Sequence, residues 1–215
     1  MNQWEAVIFD LDGTLLDTIE DLADSVNAAL EMYQYPTKSL HQIRTYVGNG
    51  IRKLIERSLG AGTENPDFDN IFQAFREHYK DNCQNKTKPY AGVTEMLRSL
   101  KAEGRKLAIV SNKADFAVKK LNETYFKEFA MTAIGEQAEM KRKPAPDMVL
   151  QALKELGISK EKAVYIGDSE VDIQTAANAG IPCISVLWGF RSKELLEEHG
   201  AERFAKTPED IMKLL

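Results

Sequence analysis

The sequence has few of the residues that build common metal and disulfide sites. It contains two cysteines, Cys83 and Cys183, which lie far apart and fit no metal-ligand spacing, and three scattered histidines. This pattern argues against a zinc site or a disulfide framework. We therefore expect both cysteines to be reduced and structural.

Long apolar runs are also absent, since none approaches the roughly 20 residues that a membrane-spanning helix needs. The first residues lack the basic and apolar regions of a signal peptide. The net charge of -5 argues against general binding to nucleic acid or to an anionic membrane. These absences predict a soluble, cytoplasmic protein with no nucleic-acid or membrane partner. We expect either a monomer or a homodimer, which the sequence does not distinguish.

The hydrophobic pattern divides the 215 residues into two kinds of structure. Residues 19–85 carry four helical patterns and no strand pattern, whereas apolar segments alternate with helical ones from Pro89 onward. Such alternation is typical of a parallel sheet with right-handed crossovers. The sequence predicts an α/β fold, with a doubly wound, mostly parallel, Rossmann-like core of residues 1–16 and 88–215. An inserted α-helical cap is expected at residues 17–87. The predicted core strands are Ala6–Phe9, Lys106–Val110, Ala130–Ile134, Ala163–Ile166 and Ile181–Leu187.

Two aspartates, Asp10 and Asp12, follow the first predicted strand directly. Residues at i and i+2 of an extended chain point the same way, so the two carboxylates should share one small space. Gly13 then allows a turn where a side chain would obstruct. Because adjacent carboxylates repel each other, a bound cation is expected, and hard oxygen ligands favour Mg²⁺.

Polar clusters also occur at other predicted strand ends or helix starts: Ser111 with Asn112, Lys143, and Asp168 with Asp172. The carboxyl ends of parallel strands meet at one edge of the sheet, where open α/β sheets bind ligands. We therefore expect these residues to converge with Asp10 and Asp12 on one crevice.

Each residue type in this set suits a task in phosphoryl transfer. Asp10, nearest the strand end, is a candidate nucleophile, and Asp12 is a candidate general acid and base. Ser111 is expected to precede a helix and to bind phosphate oxygens, while Lys143 supplies a compact positive charge. Asp168 is a candidate Mg²⁺ ligand, and Asp172 either binds the ion through water or orients Lys143.

The motifs resemble those of the haloacid dehalogenase superfamily, and of its phosphatases in particular. Four of its motifs are matched, by Asp10–Leu15 (D-x-D-G-T-[LV]), Ser111, Lys143 before Pro-x-Pro, and Gly167–Asp172 (G-D-x-x-x-D). The resemblance covers essentially the whole chain, including the helical cap. It implies Mg²⁺ bound by Asp10, Asp168 and the backbone carbonyl of Asp12, a phosphoenzyme on Asp10, and acid-base chemistry by Asp12.

Within this superfamily, the segment from Tyr46 to Ile55 and the Asn112-Lys113 dipeptide resemble those of phosphoglycolate phosphatases. This resemblance implies hydrolysis of a small phosphorylated metabolite, 2-phosphoglycolate. Candidate substrate contacts are Thr14 and Asn112 in the core and Gly48, Asn49, Gly50, Arg52 and Lys53 in the cap. Arg52 or Lys53 would meet a second anionic group of the substrate.

The sequence leaves other activities open. Relatives with the same core hydrolyse pyrophosphate, nucleotides or sugar phosphates. A sugar phosphomutase of the β-phosphoglucomutase type would use the same aspartyl-phosphate, and a signalling receiver module also combines acidic residues, Mg²⁺ and a lysine. The inserted helices and Asp12 argue against a receiver, because a receiver must preserve its phosphate.

Overall fold

The computed structural model describes residues 4–60, 62–129 and 131–215. Within these ranges the strands are β1 (Ala6–Phe9), β2 (Leu16–Asp17), β3 (Lys88–Pro89), β4 (Lys106–Ala114), β5 (Thr132–Glu136), β6 (Ala163–Gly167), β7 (Cys183–Val186) and β8 (Phe204–Ala205). The α-helices are α1 (Ile19–Met32), α2 (Leu40–Tyr46), α3 (Ile51–Leu59), α4 (Phe68–Asn82), α5 (Val93–Ala102), α6 (Asp115–Tyr125), α7 (Asp147–Leu156), α8 (Glu170–Ala179), α9 (Lys193–Glu198) and α10 (Pro208–Leu214). Among these helices, none combines the length and the apolar character that crossing a membrane requires.

The chain divides into two compact units, one containing the residues up to Leu16 and Pro89–Leu215, and the other containing Asp17–Lys88. The first unit holds a six-stranded sheet of order β5-β4-β1-β6-β7-β8. Each neighbouring pair in this sheet is parallel. The predicted α/β fold with a doubly wound, mostly parallel sheet is thus confirmed.

The central strand β1 is buried on both faces, which explains its continuous apolar sequence. Val7 and Phe9 pack in a cluster with side chains of α5, α6 and α10. Ala6 and Ile8 point to the opposite face and pack with side chains of α7 and α8. Helices therefore cover both faces of the sheet, and the carboxyl ends of its strands are left to carry polar groups.

The second unit contains α1 to α4 and a short 3₁₀ helix (Gly62–Glu64), and it begins and ends within the short strands β2 and β3. Ser39 caps α2 by accepting a hydrogen bond from the Gln42 backbone N–H. The α1 and α4 helices are joined by a 2.9 Å contact between Ser25 Oγ and His78 Nδ1. The buried carboxylate of Asp21 accepts hydrogen bonds from the backbone N–H groups that precede β3.

The strand β4 is longer than its sequence suggests. The apolar pattern ends at Val110, but the strand continues through Ala114, with an irregularity between these two residues in its pairing to β5. The expectation that Ser111 precedes a helix is therefore wrong, because α6 begins only at Asp115. The predicted strand at Ala130–Ile134 corresponds to β5, and its first residue lies outside the described residues.

Candidate active site

The predicted core clusters meet at the carboxyl edge of the sheet. Asp10 follows β1 directly, and its backbone N–H donates to the carbonyl of Ile166 in β6 at 2.9 Å. Oxygen atoms of Asp10, Asp168 and Asp172 all lie within 4.8 Å of one another, and all three side chains are buried. Three carboxylates at this spacing, two after adjacent strands and one from the start of α8, form a donor set suited to a hard cation.

Lys143 lies in the centre of this cluster, on the segment that precedes α7. Its Nζ lies 2.6 Å from Asp10 Oδ1 and 2.8 Å from Asp172 Oδ1. The hydroxyl of Tyr165, on β6, lies 3.1 Å from the same nitrogen. The lysine thus carries a buried charge that is paired on two sides, which offsets the cost of removing it from water.

Asp172 contacts Lys143, as one of the two roles left open requires. Its Oδ1 is bound to Lys143 and to the Tyr165 hydroxyl. Its Oδ2 accepts from the backbone N–H of Ser169 at 3.1 Å and from the Ser169 hydroxyl at 2.6 Å. Both oxygens of Asp172 are therefore engaged by the protein, at the start of α8.

Asp168 is fixed by the loop after β7. The backbone N–H of Phe190 donates to Asp168 Oδ2 at 2.7 Å. A Cβ atom on Gly13, where φ is +91°, would lie 2.4 Å from the same oxygen, and one on Gly189 would lie 2.3 Å from Asp168 Cβ. Only glycine fits at these two positions, because the backbone approaches the aspartate too closely for a side chain.

Asp12 is held by the extension of β4. Lys113 Nζ lies 2.8 Å from Asp12 Oδ1, and the Ser111 hydroxyl lies 3.4 Å from Asp12 Oδ2. Ser111 and Lys113 are two residues apart on a strand and so share a face. The carboxylate of Asp12 is consequently bound by two polar groups of a neighbouring strand.

Asn112 points the other way and binds the backbone of Lys143. Its Nδ2 donates to the Lys143 carbonyl at 3.1 Å, and its Oδ1 accepts from the Lys143 N–H at 2.8 Å. These contacts indicate that Asn112 positions the segment that carries the lysine. Its expected contact with substrate stays a prediction.

Thr14 lies beneath this edge and is buried. Its carbonyl accepts from the indole N–H of Trp188 at 2.9 Å. Its Oγ1 is buried and has no hydrogen-bond partner among the described residues. Its predicted role in substrate binding also stays a prediction.

The crowding of charges shifts the pKa values of the site. Burial raises the pKa of Asp10 well above its usual value, although Lys143 opposes the shift. Burial, reinforced by Asp172, raises the pKa of Asp168 to about 7. Burial disfavours the charge of Lys143, but Asp10 and Asp172 outweigh that effect and raise its pKa well above the usual value. A second positive charge beside Asp10 and Asp168 would stabilise their ionised forms.

The predicted cap contacts lie in the helical unit and have local partners. Gly50 is the residue before α3, with a φ of 81°, and Gly48 has a φ of 113°. Asn49 Oδ1 accepts from Arg57 at 2.7 Å. The remaining two side chains also make contacts within this unit: Arg52 with the Phe68 ring and Asp69, and Lys53 with Glu56.

Three residues of the site were not predicted from the sequence as site residues. Lys113 could have been found from its i+2 spacing to Ser111, had the strand been extended past Val110. The neighbours of Tyr165 along β6 point to the other face of the sheet, so the burial of Tyr165 could be predicted from the sequence. Its contact with Lys143 could not. The hydrogen bond from the Phe190 N–H to Asp168 could not be predicted from the sequence, because every residue except proline supplies a backbone donor.

Comparison with known proteins agrees with this geometry. A family model described as haloacid dehalogenase-like hydrolase matches residues 7–186. A phosphoglycolate phosphatase of Mesorhizobium japonicum is 35% identical over 196 residues, which cover 89% of this chain and 86% of that protein. A phosphoglycolate phosphatase of Aquifex aeolicus is 31% identical over 210 residues, which cover 97% of this chain and 95% of that protein.

A crystal structure from Lactobacillus delbrueckii superposes with a TM-score of 0.95 at 36% identity, covering 99% of this chain and 98% of that one. The description of that protein as a phosphoglycolate phosphatase is itself a provisional assignment. The matched region contains each of the core clusters described above, from Asp10 to Asp172. The chain therefore belongs to the haloacid dehalogenase-like hydrolase family and is a phosphatase of that family.

Proposed function

We propose that the chain is a Mg²⁺-dependent phosphatase that hydrolyses small phosphate monoesters through an aspartyl-phosphate on Asp10, with 2-phosphoglycolate as substrate. The observation that carries the proposal is the position of Asp10. Its Oδ1 lies 2.6 Å from Lys143 Nζ, and its carboxylate lies within 4.8 Å of an oxygen of Asp168. The carboxylate is thus held at the end of β1, beside a lysine charge and a second carboxylate, where it could attack phosphorus.

The donor set fits a magnesium ion. Asp10 and Asp168 would hold the ion, together with the backbone carbonyl of Asp12 that the family resemblance implies. Burial raises the pKa values of both carboxyl groups, and a bound cation would favour their ionised forms. When bound, the ion supplies charge neutralisation for the phosphoryl oxygens. Asp172 is left to orient Lys143, since its oxygens are already engaged.

The proposed reaction has two steps, formation of the aspartyl-phosphate and its hydrolysis. A carboxylate oxygen of Asp10 attacks phosphorus, the bond from phosphorus to the leaving oxygen breaks, and Asp12 gives that oxygen its proton. Water then attacks the phosphoryl group of Asp10, Asp12 takes the proton from water, and phosphate and the free carboxylate of Asp10 are released. Lys143 and Ser111 would bind the phosphoryl oxygens during both steps.

The helical unit, Asp17–Lys88, is proposed to act as a cap that contributes to specificity. Gly48, Asn49, Gly50, Arg52 and Lys53 remain candidate substrate contacts. The glycine conformations at positions 48 and 50 would let backbone N–H groups approach an anion. The substrate assignment is supported by the curated relatives, which are phosphoglycolate phosphatases.

The proposal is tested by phosphate release from a panel of small phosphate esters with Mg²⁺, with and without a chelator. The panel includes phosphoglycolate, pyrophosphate, a nucleotide and sugar phosphates, and isomerised sugar phosphate is measured beside free phosphate. We expect chelator-sensitive hydrolysis with the highest kcat/KM for phosphoglycolate. A higher value for another ester would overturn the substrate, and isomerisation faster than release would indicate a mutase.

A further inference from the structure

The extension of β4 contains two more residues than the part of β5 that lies beside it. Val110 pairs with Ile134 of β5, and the following pair in the register is Ala114 with Glu136. Between these pairs the chain advances by four residues in β4 but by two in β5. The backbone of β4 therefore bulges here, and bulges often occur beside active sites, where they redirect side chains.

The bulge carries the residues of β4 that reach the candidate active site. Ser111 Oγ lies 3.4 Å from Asp12 Oδ2, and Lys113 Nζ lies 2.8 Å from Asp12 Oδ1. Asn112, between them, binds the backbone of Lys143. The conformation of the bulge thus decides whether the two polar groups that contact Asp12 can reach it.

Asp115 follows the bulge directly and connects it to β5. Its Oδ1 accepts from the backbone N–H of Gly135 at 3.0 Å. Its Oδ2 lies 2.6 Å from Lys119 Nζ, one turn further along α6, and the aspartate side chain is 19% exposed. Burial alone would raise the pKa of Asp115, but hydrogen bonds from Lys119 and from the Gly135 N–H outweigh burial and lower it. The side chain is therefore an ionised acceptor for the Gly135 N–H.

Gly135 packs closely against the end of the bulge. A Cβ atom at this position would lie 2.5 Å from Asp115 Cα and 2.6 Å from the carbonyl oxygen of Lys113. Both atoms belong to the backbone, so they cannot turn aside as the end of a flexible side chain can. The absence of a side chain at Gly135 is thus what allows β5 to approach the bulge.

We propose that Asp115 is a positioning residue for Asp12. By binding the Gly135 N–H it fixes the bulge, and the bulge holds Ser111 and Lys113 in contact with Asp12. The inference rests on the proposed function, because the acid-base role of Asp12 is what gives this contact an effect on the reaction. Asp115 acts through the backbone and does not enter the chemistry.

The test compares kcat/KM for phosphoglycolate and for p-nitrophenyl phosphate, since this parameter covers the steps up to departure of the leaving group. The glycolate oxygen needs a proton to leave, whereas p-nitrophenolate leaves readily without one. Asp115→Ala should lower kcat/KM for phosphoglycolate about 10-fold more than for p-nitrophenyl phosphate, because a displaced acid is a poor proton donor. Asp115→Asn keeps an oxygen for the Gly135 N–H and should recover most of this loss.

Lys119→Met is the matched control, because it breaks the ion pair within α6 and leaves the Gly135 hydrogen bond in place. It should leave both kcat/KM values nearly unchanged. Gly135→Ala disturbs the bulge from the β5 side and should show the same selective loss as Asp115→Ala. Asp115→Ser, whose oxygen lies one bond closer to the backbone, replaces Asp115→Ala if the latter fails to fold by circular dichroism.

Equal losses on both esters in Asp115→Ala would overturn the positioning role, because a residue that only stabilises the fold affects both alike. Asp12→Asn separates that outcome from failure of the proposed function. Its loss should be at least about 10²-fold larger on phosphoglycolate than on p-nitrophenyl phosphate. Equal losses on both esters in Asp12→Asn would overturn the acid-base role of Asp12, and the inference about Asp115 with it.

Discussion

Asn112 binds the backbone of Lys143 and not its charged ammonium group. The side-chain amide of Asn112 donates to the Lys143 carbonyl and accepts from the Lys143 N–H. The amide fixes where the segment before α7 lies, and the carboxylates then fix where the ammonium points. Two strands of the sheet thus share the placement of one cation, β4 through its side-chain amide and β1 through Asp10.

Asn112→Ala is expected to lower the free energy of unfolding by about 2 kcal/mol, because two buried backbone groups lose their partner. It should lower kcat more than it raises KM, since a displaced Lys143 acts mainly in the transition state. Urea unfolding and steady-state kinetics measure both effects. Asn178→Ala, which removes an exposed hydrogen bond to the adjacent Pro144 carbonyl, is the control and should change little. Similar losses in both variants would contradict the positioning role.

Lys143→Met should reduce kcat by about 10²- to 10³-fold, because the charge that faces the phosphoryl oxygens is lost. It should also destabilise the fold by about 3 kcal/mol, since it leaves buried carboxylates without their cation. Lys162→Met breaks an exposed pair with Glu5 and should cost less than about 1 kcal/mol. Near-normal activity of Lys143→Met would remove the lysine from the mechanism.

Gly13→Ala is expected to cost at least about 3 kcal/mol and to abolish activity. The added Cβ would meet Asp168 Oδ2 at 2.4 Å, in addition to the strain of a positive φ. Gly104→Ala separates the two effects, because Gly104 has a φ of +77° and no atom within 4 Å of the position that a Cβ would take. The control should cost about 1 kcal/mol and retain activity. Equal costs in thermal unfolding would show that the contact with Asp168 is unimportant.

Stabilisation by Mg²⁺ should increase with pH. The pKa of Asp168 is raised to about 7 in the folded protein, above its pKa in the unfolded chain. The folded, metal-free protein therefore holds this proton more tightly, and it loses stability as the pH rises from the unfolded-state pKa to about 7. Metal binding needs the ionised carboxylate and releases its proton. The rise in Tm on adding MgCl₂ should therefore be larger at about pH 8 than at about pH 6. Asp168→Asn should reduce the difference, because Asp10, whose pKa is also raised, still has to ionise. An equal rise at both pH values in the wild type would be evidence against this ligand.

The sheet and the convergence of its polar clusters could be predicted because they depend on local patterns. The buried run before Asp10 has no polar residue, so its strand and its position in the sheet follow from the sequence alone. The continuation of β4 through Ser111 and Lys113 could not be predicted, because polar residues there resemble a loop or a helix start. In the structure Lys113 contacts Asp12, which lies 101 residues away, and Ala114 at the end of β4 pairs with Glu136 of β5.

Contacts made by backbone groups were the other part that the sequence could not supply. The N–H of Phe190 binds Asp168 from 22 residues away, in a loop whose path depends on the packing of β7. The resemblance of the cap segment to phosphoglycolate phosphatases implied that Arg52 or Lys53 meets a second anionic group of the substrate, and this stays a prediction. In the structure the Arg52 guanidinium lies over the Phe68 ring at 4.6 Å, a contact that its position on an amphipathic helix allows.

The claim that Asp10 accepts the phosphoryl group is tested most directly by trapping the phosphoenzyme. The enzyme is mixed with phosphoglycolate and Mg²⁺, quenched in acid within one turnover, and digested for mass spectrometry. We predict phosphate on the peptide that contains Asp10, with no phosphopeptide from Asp10→Asn. Phosphate on another residue, or full turnover by Asp10→Asn, would contradict the account.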